Sequence, residues 1–285
     1  MKLLRVGPVG SERPALLDRD GTLRDLSGLI TDVDGALLAD DSVLSRVREA
    51  AAAGELPVLD AEGLRIGSPI GRIGKIVGIG LNYFAHAAEV GAEPPAEPIL
   101  FLKAADTVVG PDDTVLIPRG SVKTDWEAEL GVVIGATARY LDSAEEGLAH
   151  VGGYTLVNDV SEREFQIERG GTWDKGKNCE TFTPLGPWLV TADEIGDPQR
   201  LDVRLWVNGV LRQDGNTADQ IFPVGEVVRY LSRFMTLYPG DVIVTGTPAG
   251  VAMGQPEPKP YLRAGDVVEL EIEGLGRQRQ EFKGA

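Results

Sequence analysis

The chain has 285 residues, and 28 Lys and Arg against 44 Asp and Glu leave a net charge of −16. That acidity excludes a nucleic-acid partner, which needs Lys and Arg in excess, and disfavours an anionic membrane surface. One cysteine, Cys179, and two histidines, His86 and His150, exclude an internal disulfide, an iron–sulfur cluster and a His-rich zinc site. No apolar run approaches the roughly 18 residues of a spanning helix, and the first ten residues lack a signal-peptide pattern. A reduced, cytoplasmic protein is expected.

In chain order, Lys2 to Val6, Ala15 to Leu17 and Thr22 to Leu26 read as short strands, the last two joined by an Asp20-Gly21 turn. Asp18-Arg-Asp20-Gly-Thr-Leu matches the first motif of haloacid-dehalogenase-type phosphatases, but no crossover helix follows, so the hairpin reading is preferred. Residues 41–53 read as a helix capped by Asp41 or Ser42 and ended by Gly54. A boundary in Gly67–Gly71 separates a small N-terminal α/β domain, residues 1–68, from a large domain, residues 72–285. In the latter, Lys75 to Gly80, Ile99 to Leu102, Trp126 to Ile134, Val151 to Val157, Val203 to Val207, Val242 to Thr245 and Val267 to Ile272 read as strands, with a hairpin at Asn208-Gly209. Val224, Val227, Val228, Leu231, Phe234 and Met235 predict a helix over 223–235. Strands without regularly alternating helices indicate a mixed, β-rich α+β fold. Gly78-Ile-Gly80 lacks the third glycine of a dinucleotide fingerprint, since position 83 is Tyr83.

Four segments carry chemistry. In Asp125-Trp-Glu127-Ala-Glu129-Leu, a strand places Glu127 and Glu129 on one face, about 6.5–7 Å apart by strand rise, and Trp126, Ala128 and Leu130 on the other. Two carboxylates so close resist joint ionisation unless a cation lies between them. Asp159 follows the next strand as a third carboxylate, and Ser161-Glu-Arg-Glu164 predicts a capping box opening a short helix. Three carboxylates form a hard-oxygen site for Mg²⁺, Mn²⁺ or Ca²⁺; solvated faces and helix caps are the alternatives. On a helix, His86 and Glu89 meet at i, i+3, the arrangement of a carboxylate-supported general base. Lys175 and Lys177 lie in a glycine-rich loop downstream, where a lysine near a dication can stabilise an oxyanion. Thr245-Gly-Thr247-Pro offers amides and hydroxyls to a carboxylate, or is only a turn. Cys179 has no mark of a reactive thiolate.

Together these segments resemble the fumarylacetoacetate hydrolase family over about residues 72–285. The matching pieces are Gly80-Leu-Asn-Tyr-x-x-His86-x-x-Glu89, Leu100-Phe-Leu-Lys103, Asp125-Trp-Glu127-Ala-Glu129-Leu, Asn158-Asp159-Val-Ser-x-Arg163-x-x-Gln166, Gly176-Lys177 and Thr245-Gly-Thr247-Pro. The resemblance implies a β-sandwich or β-roll catalytic domain, a homodimer, and Mg²⁺ or Mn²⁺ on Glu127, Glu129 and Asp159. It implies a water-activating His86–Glu89 dyad on a closing segment, an oxyanion-stabilising Lys177, and substrate contacts from Arg163, Gln166, Lys177 and Thr247. Leu81 and Ala104 depart from the Arg and Pro that one form of the family carries there.

The implied reaction is hydrolysis of the C3–C4 bond of a 2,4-diketo acid to pyruvate and a second acid. The Arg169-Gly-Gly-Thr-Trp173 loop and the Gln255 to Pro260 insert look like the branch acting on 2,4-diketo-3-deoxy-L-rhamnonate or -fuconate, which gives pyruvate and lactate. Decarboxylation of oxaloacetate and isomerisation of 2-hydroxyhepta-2,4-diene-1,7-dioate use related machinery. A metal-dependent keto-acid binding protein would keep the carboxylates without needing His86 and Glu89.

Overall fold

The computed structural model describes residues 1–60 and 63–285. In chain order the main strands are β1 (Lys2–Val6), β2 (Arg13–Leu17), β3 (Leu23–Asp25), β4 (Ile76–Gly80), β5 (Ile99–Lys103), β6 (Val115–Ile117), β7 (Ala128–Ile134), β8 (Val151–Asn158), β9 (Leu189–Thr191), β10 (Asp202–Val207), β11 (Val210–Asn216), β12 (Val242–Val244), β13 (Val267–Ile272) and β14 (Gly276–Gly284). Nine of them form one mixed sheet in the order β3-β2-β1-β9-β8-β7-β12-β4-β5, and five form a second, β11-β10-β13-β14-β6. The helices include α1 (Asp41–Ala52), α2 (Phe84–Glu89), α3 (Ala144–Ala149) and α4 (Val224–Leu231). The fold is sheet-rich α+β, as expected from the pattern of elements.

Side-chain alternation divides the large sheet into two apolar faces. Leu130, Val132 and Ile134 of β7 share a core with Val203 and Leu205 of β10, Val268 and Leu270 of β13 and Phe282 of β14, which joins the two sheets face to face. Val133, Val242 and Val244 point the other way, toward Leu26, Val33, Leu44 and Val47. The first 68 residues thus supply three strands to the large sheet and a layer over its second face.

The turns follow residue type. Asp20-Gly21 closes the β2–β3 hairpin, with Gly21 at φ +84° and its N–H donated to the Asp18 carbonyl. Asp18 pairs with Arg24, so the phosphatase-like motif is a hairpin. Asn208 and Gly209, both at positive φ, make the β10–β11 turn.

Three local expectations are corrected. The cap of α1 is Asp40, whose carboxylate accepts the Ser42 and Val43 N–H groups, rather than Asp41 or Ser42. The helix expected over 223–235 ends at Leu231, because the carbonyl and hydroxyl of Ser232 accept the Tyr140 and Leu141 N–H groups. The expected capping box is absent: Ser161–Glu162 pairs antiparallel with Thr124–Asp125, and the helical turn starts only at Glu164. There Glu162 accepts hydrogen bonds from Ser121 and Thr124, so long-range pairing overrides the local cap signal.

β14 has no apolar alternation, yet Gln278 and Gln280 are fully buried. Gln278 donates to the Leu156 and Gly186 carbonyls, and Gln280 accepts from Asn158. Among the described residues no helix is long and apolar enough to cross a membrane.

Glycine is needed where aromatic rings approach the sheet. A Cβ on Gly78 of β4 would lie 2.1 Å from the Phe101 ring, and one on Gly80 2.0 Å from Trp173. Gly78→Ala is therefore expected to destabilise the chain by about 1–3 kcal/mol through overpacking, read as a lower denaturant midpoint with an unchanged m-value. An unchanged midpoint would refute the tight contact.

Candidate active site

The register of β7 and β8 assembles the site. Glu129 lies opposite Val157 and Ala128 opposite Asn158. One step further, the Asp159 N–H donates to the Glu127 carbonyl at 2.9 Å. This brings Glu127, Glu129 and Asp159 together, one carboxylate oxygen of each within 4.8 Å of the others. All three are buried, so neither a solvated strand face nor a helix cap describes them.

The loops around them bring cations. Lys177 ends the single helical turn Asp174–Lys177. Its Nζ donates to Glu127 Oε2 at 2.7 Å and to Asp159 Oδ2 at 2.6 Å. Gly176 permits this approach, since a Cβ there would lie 2.4 Å from the Glu162 carbonyl oxygen. Lys103, at the end of β5, places Nζ 2.6 Å from Asp159 Oδ1 and donates to the Lys177 and Phe182 carbonyls. Arg163 is held on three sides, by Asp125 (Nε, 2.8 Å), Glu127 (2.7 Å) and Gln166 (2.9 Å).

These contacts fix the charges. Burial alone would raise the Glu127 carboxyl, but the Lys177 and Arg163 charges hold it well below the usual carboxylate range. Burial would lower Lys177, but Asp159 and Glu127 keep it above the ordinary lysine value, so it is a cation rather than a base. Burial pushes Lys103 down, an effect Asp159 only partly offsets. Glu129 is different. Burial, then the charges of Asp159 and Glu127, push it well above the usual value. Its described hydrogen bond is from the Gly246 N–H at 2.7 Å, and among the described residues no cationic side chain pairs with it. A buried carboxylate facing two others, with a backbone amide as its partner, fits a site for an added cation.

His86, on α2, is buried, and its Nδ1 lies 3.9 Å from Glu89 Oε2 without a hydrogen bond. Glu89 is anchored by the Gly250 N–H, at 2.9 and 2.7 Å to its two oxygens. His86, Glu127, Glu129, Arg163, Gln166, Lys177 and Thr247 all line one cavity of about 210 Å³. Thr247 has its hydroxyl committed to the Ala128 carbonyl and to Gln213. His150 caps α3 far along the chain, its Nδ1 at 2.7 Å from the Glu146 carbonyl. Burial pushes the Cys179 thiol up to about 11, consistent with an unreactive cysteine.

Sequence reasoning gave no role to Lys103 or Asp125, although both sit in the quoted motifs. Alternation along β5 puts Lys103 on the face of buried Phe101, which was a readable signal. Asp125 had none, since its partners are distant in sequence: Arg163 and the N–H groups of Ala252 and Met253.

The family description "Fumarylacetoacetate (FAA) hydrolase C-terminal" matches residues 75–283. A Burkholderia lata protein, named only as a hydrolase, is 54% identical over 285 residues, all of both chains. Among solved structures, a fumarylacetoacetate hydrolase from Exiguobacterium antarcticum superposes with a TM-score of 0.85 at 33% identity over 100% of both chains. Maleylpyruvate hydrolase from Sphingobium sp. SYK-6, in complex with manganese(II) and pyruvate, gives 0.82 at 29%, again over 100% of both. A 2-hydroxyhepta-2,4-diene-1,7-dioate isomerase from Mycobacterium marinum gives 0.76 at 31%, over 100% of this chain and 98% of that one.

Proposed function

Because this chain belongs to the fumarylacetoacetate hydrolase family, we propose that it hydrolyses the C3–C4 bond of a 2,4-diketo acid, releasing pyruvate and a second acid, with Mg²⁺ or Mn²⁺ as cofactor. The observation that carries this reading is the buried Glu127–Glu129–Asp159 trio, with Glu129 lacking a cationic side chain and with Glu127 and Glu129 lining one cavity with His86. A divalent cation there would supply Lewis-acid polarisation of the 2-oxo acid head.

The chain's own residues supply the rest. Arg163 and Gln166 receive the substrate carboxylate, with Arg163 oriented by Asp125. Thr247 contributes to the wall beside them. Nδ1 of His86 faces Glu89, which leaves Nε2 to take a proton from water. That water adds to the C4 carbonyl. The C3–C4 bond then breaks, its electron pair passing to C3 and the 2-oxo oxygen as the pyruvate enolate. Lys177 stabilises the developing negative charge. His86 returns its proton to C3, giving the methyl group of pyruvate, and C4 leaves as the second carboxylic acid. By resemblance, the lactate-forming acid 2,4-diketo-3-deoxy-L-rhamnonate is a leading substrate.

The test is pyruvate release from that acid, acetylpyruvate and fumarylpyruvate, with oxaloacetate as a decarboxylation control. Release is expected to fall to background in EDTA and return with Mg²⁺ or Mn²⁺. Pyruvate from oxaloacetate alone would make the chain a decarboxylase. The isomerase relative favours a second reading, dienol isomerisation, which would appear as an absorbance change without pyruvate.

A further inference from the structure

Resting on the hydrolase reading above, we propose that the acyl group of the substrate is uncharged and mainly apolar, so that the chain discriminates against diketo acids with a second carboxylate. The cavity lining is of two kinds, which meet where Lys177 Nζ lies 4.9 Å from the Phe101 ring centroid. One carries the carboxylates with Lys177, Arg163 and Gln166. The other is built from Leu81, Val90, Phe101, Ile167, Trp173 and Met253. Phe101 and Trp173 pack ring on ring, with centroids 5.9 Å apart. Several of these side chains are open to solvent: Ile167 is 51% exposed, and Leu81, Val90, Trp173 and Met253 are half-buried. An apolar wall left open on a concave surface gains free energy when an apolar group covers it.

A second carboxylate would find no cation among the side chains of that apolar lining. Among the described residues lining the cavity the Lys and Arg side chains are Arg163 and Lys177, and the proposed mechanism assigns both to the 2-oxo acid head and the enolate. Nearby cationic side chains point to partners of their own. Lys259 donates to the Met253 carbonyl, Lys175 to the Arg169 carbonyl, and Arg169 pairs with Glu164. A terminal carboxylate would therefore lose its hydration without a partner. A single hydroxyl is rejected far less by an apolar pocket, so hydroxyacyl groups remain admissible.

Binding to the Mn²⁺-loaded chain tests this without turnover. Isothermal titration would compare 2-oxohexanoate with 2-oxoglutarate, which share the 2-oxo acid head and end in a methyl or a carboxylate. We expect 2-oxohexanoate to bind at least tenfold tighter, and Ile167→Arg to cut that ratio at least tenfold. Equal or tighter binding of 2-oxoglutarate, an unchanged ratio in the variant, or no binding of either at millimolar concentration overturns the assignment. In parallel, kcat/KM for hexanoylpyruvate is expected to exceed that for fumarylpyruvate at least tenfold, and the reverse order overturns it too. If no diketo acid yields pyruvate the hydrolase reading fails, while the binding ratio still decides the nature of the wall.

Discussion

His86→Ala is expected to lower kcat for pyruvate release by about 10²–10⁴-fold, the range for a lost general base, while leaving the affinity for Mn²⁺ within about twofold. The split follows from geometry. His86 lines the same cavity as the carboxylates but is not among the three that converge within 4.8 Å. The base role proposed for it rests on Glu89, now 3.9 Å from Nδ1 and held by the Gly250 N–H. Closing that gap by about 1 Å would make an ordinary hydrogen bond. Stopped-flow turnover and Mn²⁺ titration of the same preparation check both halves. Unimpaired turnover would remove the dyad from the mechanism. Lost metal affinity would instead make His86 a ligand.

Glu129→Gln should act in the opposite sense on two measurements. Metal affinity should fall by at least about a hundredfold, beyond the 10–100-fold typical of a lost outer partner, and turnover should fall with it. The metal-free chain, by contrast, should melt no lower than the parent at pH 7.5. Glu129 is raised by burial and by the Asp159 and Glu127 charges. A carboxyl raised on folding contributes its stability fully below the ordinary value near 4.5, and that contribution is lost as pH rises toward the folded value. The parent therefore carries this loss at neutral pH in EDTA, and the amide does not. Glu127 has the reverse sign: held low by Lys177 and Arg163 despite burial, it stabilises above the ordinary value and loses that contribution in acid. Melting curves in EDTA from pH 5 to 8 should show the gap between variant and parent widening with pH. A variant melting several degrees below the parent at pH 7.5 would contradict the isolation of Glu129.

The site was legible where periodicity is short. Alternation along Trp126 to Ile134 separated Glu127 and Glu129 from the apolar face, and the structure buries Ala128, Leu130 and Val132 in the inter-sheet core. The i, i+3 spacing placed His86 against Glu89. Legibility failed where a residue's partner lies far along the chain. Ser161–Glu162 carried a local helix signal, but Thr124–Asp125 pairs with it as a strand. The sequence reading named no strand over β14, where Gln278 and Gln280 are buried by carbonyl and amide partners far away in the chain. Lys103 was readable as a strand-end lysine but not as the partner of Asp159, because nothing local says which carboxylate crosses the sheet to meet it.

The buried glutamines of β14 also tie the site to a late part of the sequence. Gln280 accepts from Asn158, whose own side-chain oxygen accepts the Glu127 N–H, so the backbone carrying the Glu127 carboxylate is braced by a residue 122 positions downstream of that asparagine. At about 5–20 residues per second of synthesis, Asn158 waits on the order of 6–24 s for its brace. Through that interval the Asn158 side chain lacks the Gln280 partner that it has in the complete chain. Contacts of such long sequence separation slow folding. The bracing of the Glu127 backbone thus depends on a strand at the far end of the sequence.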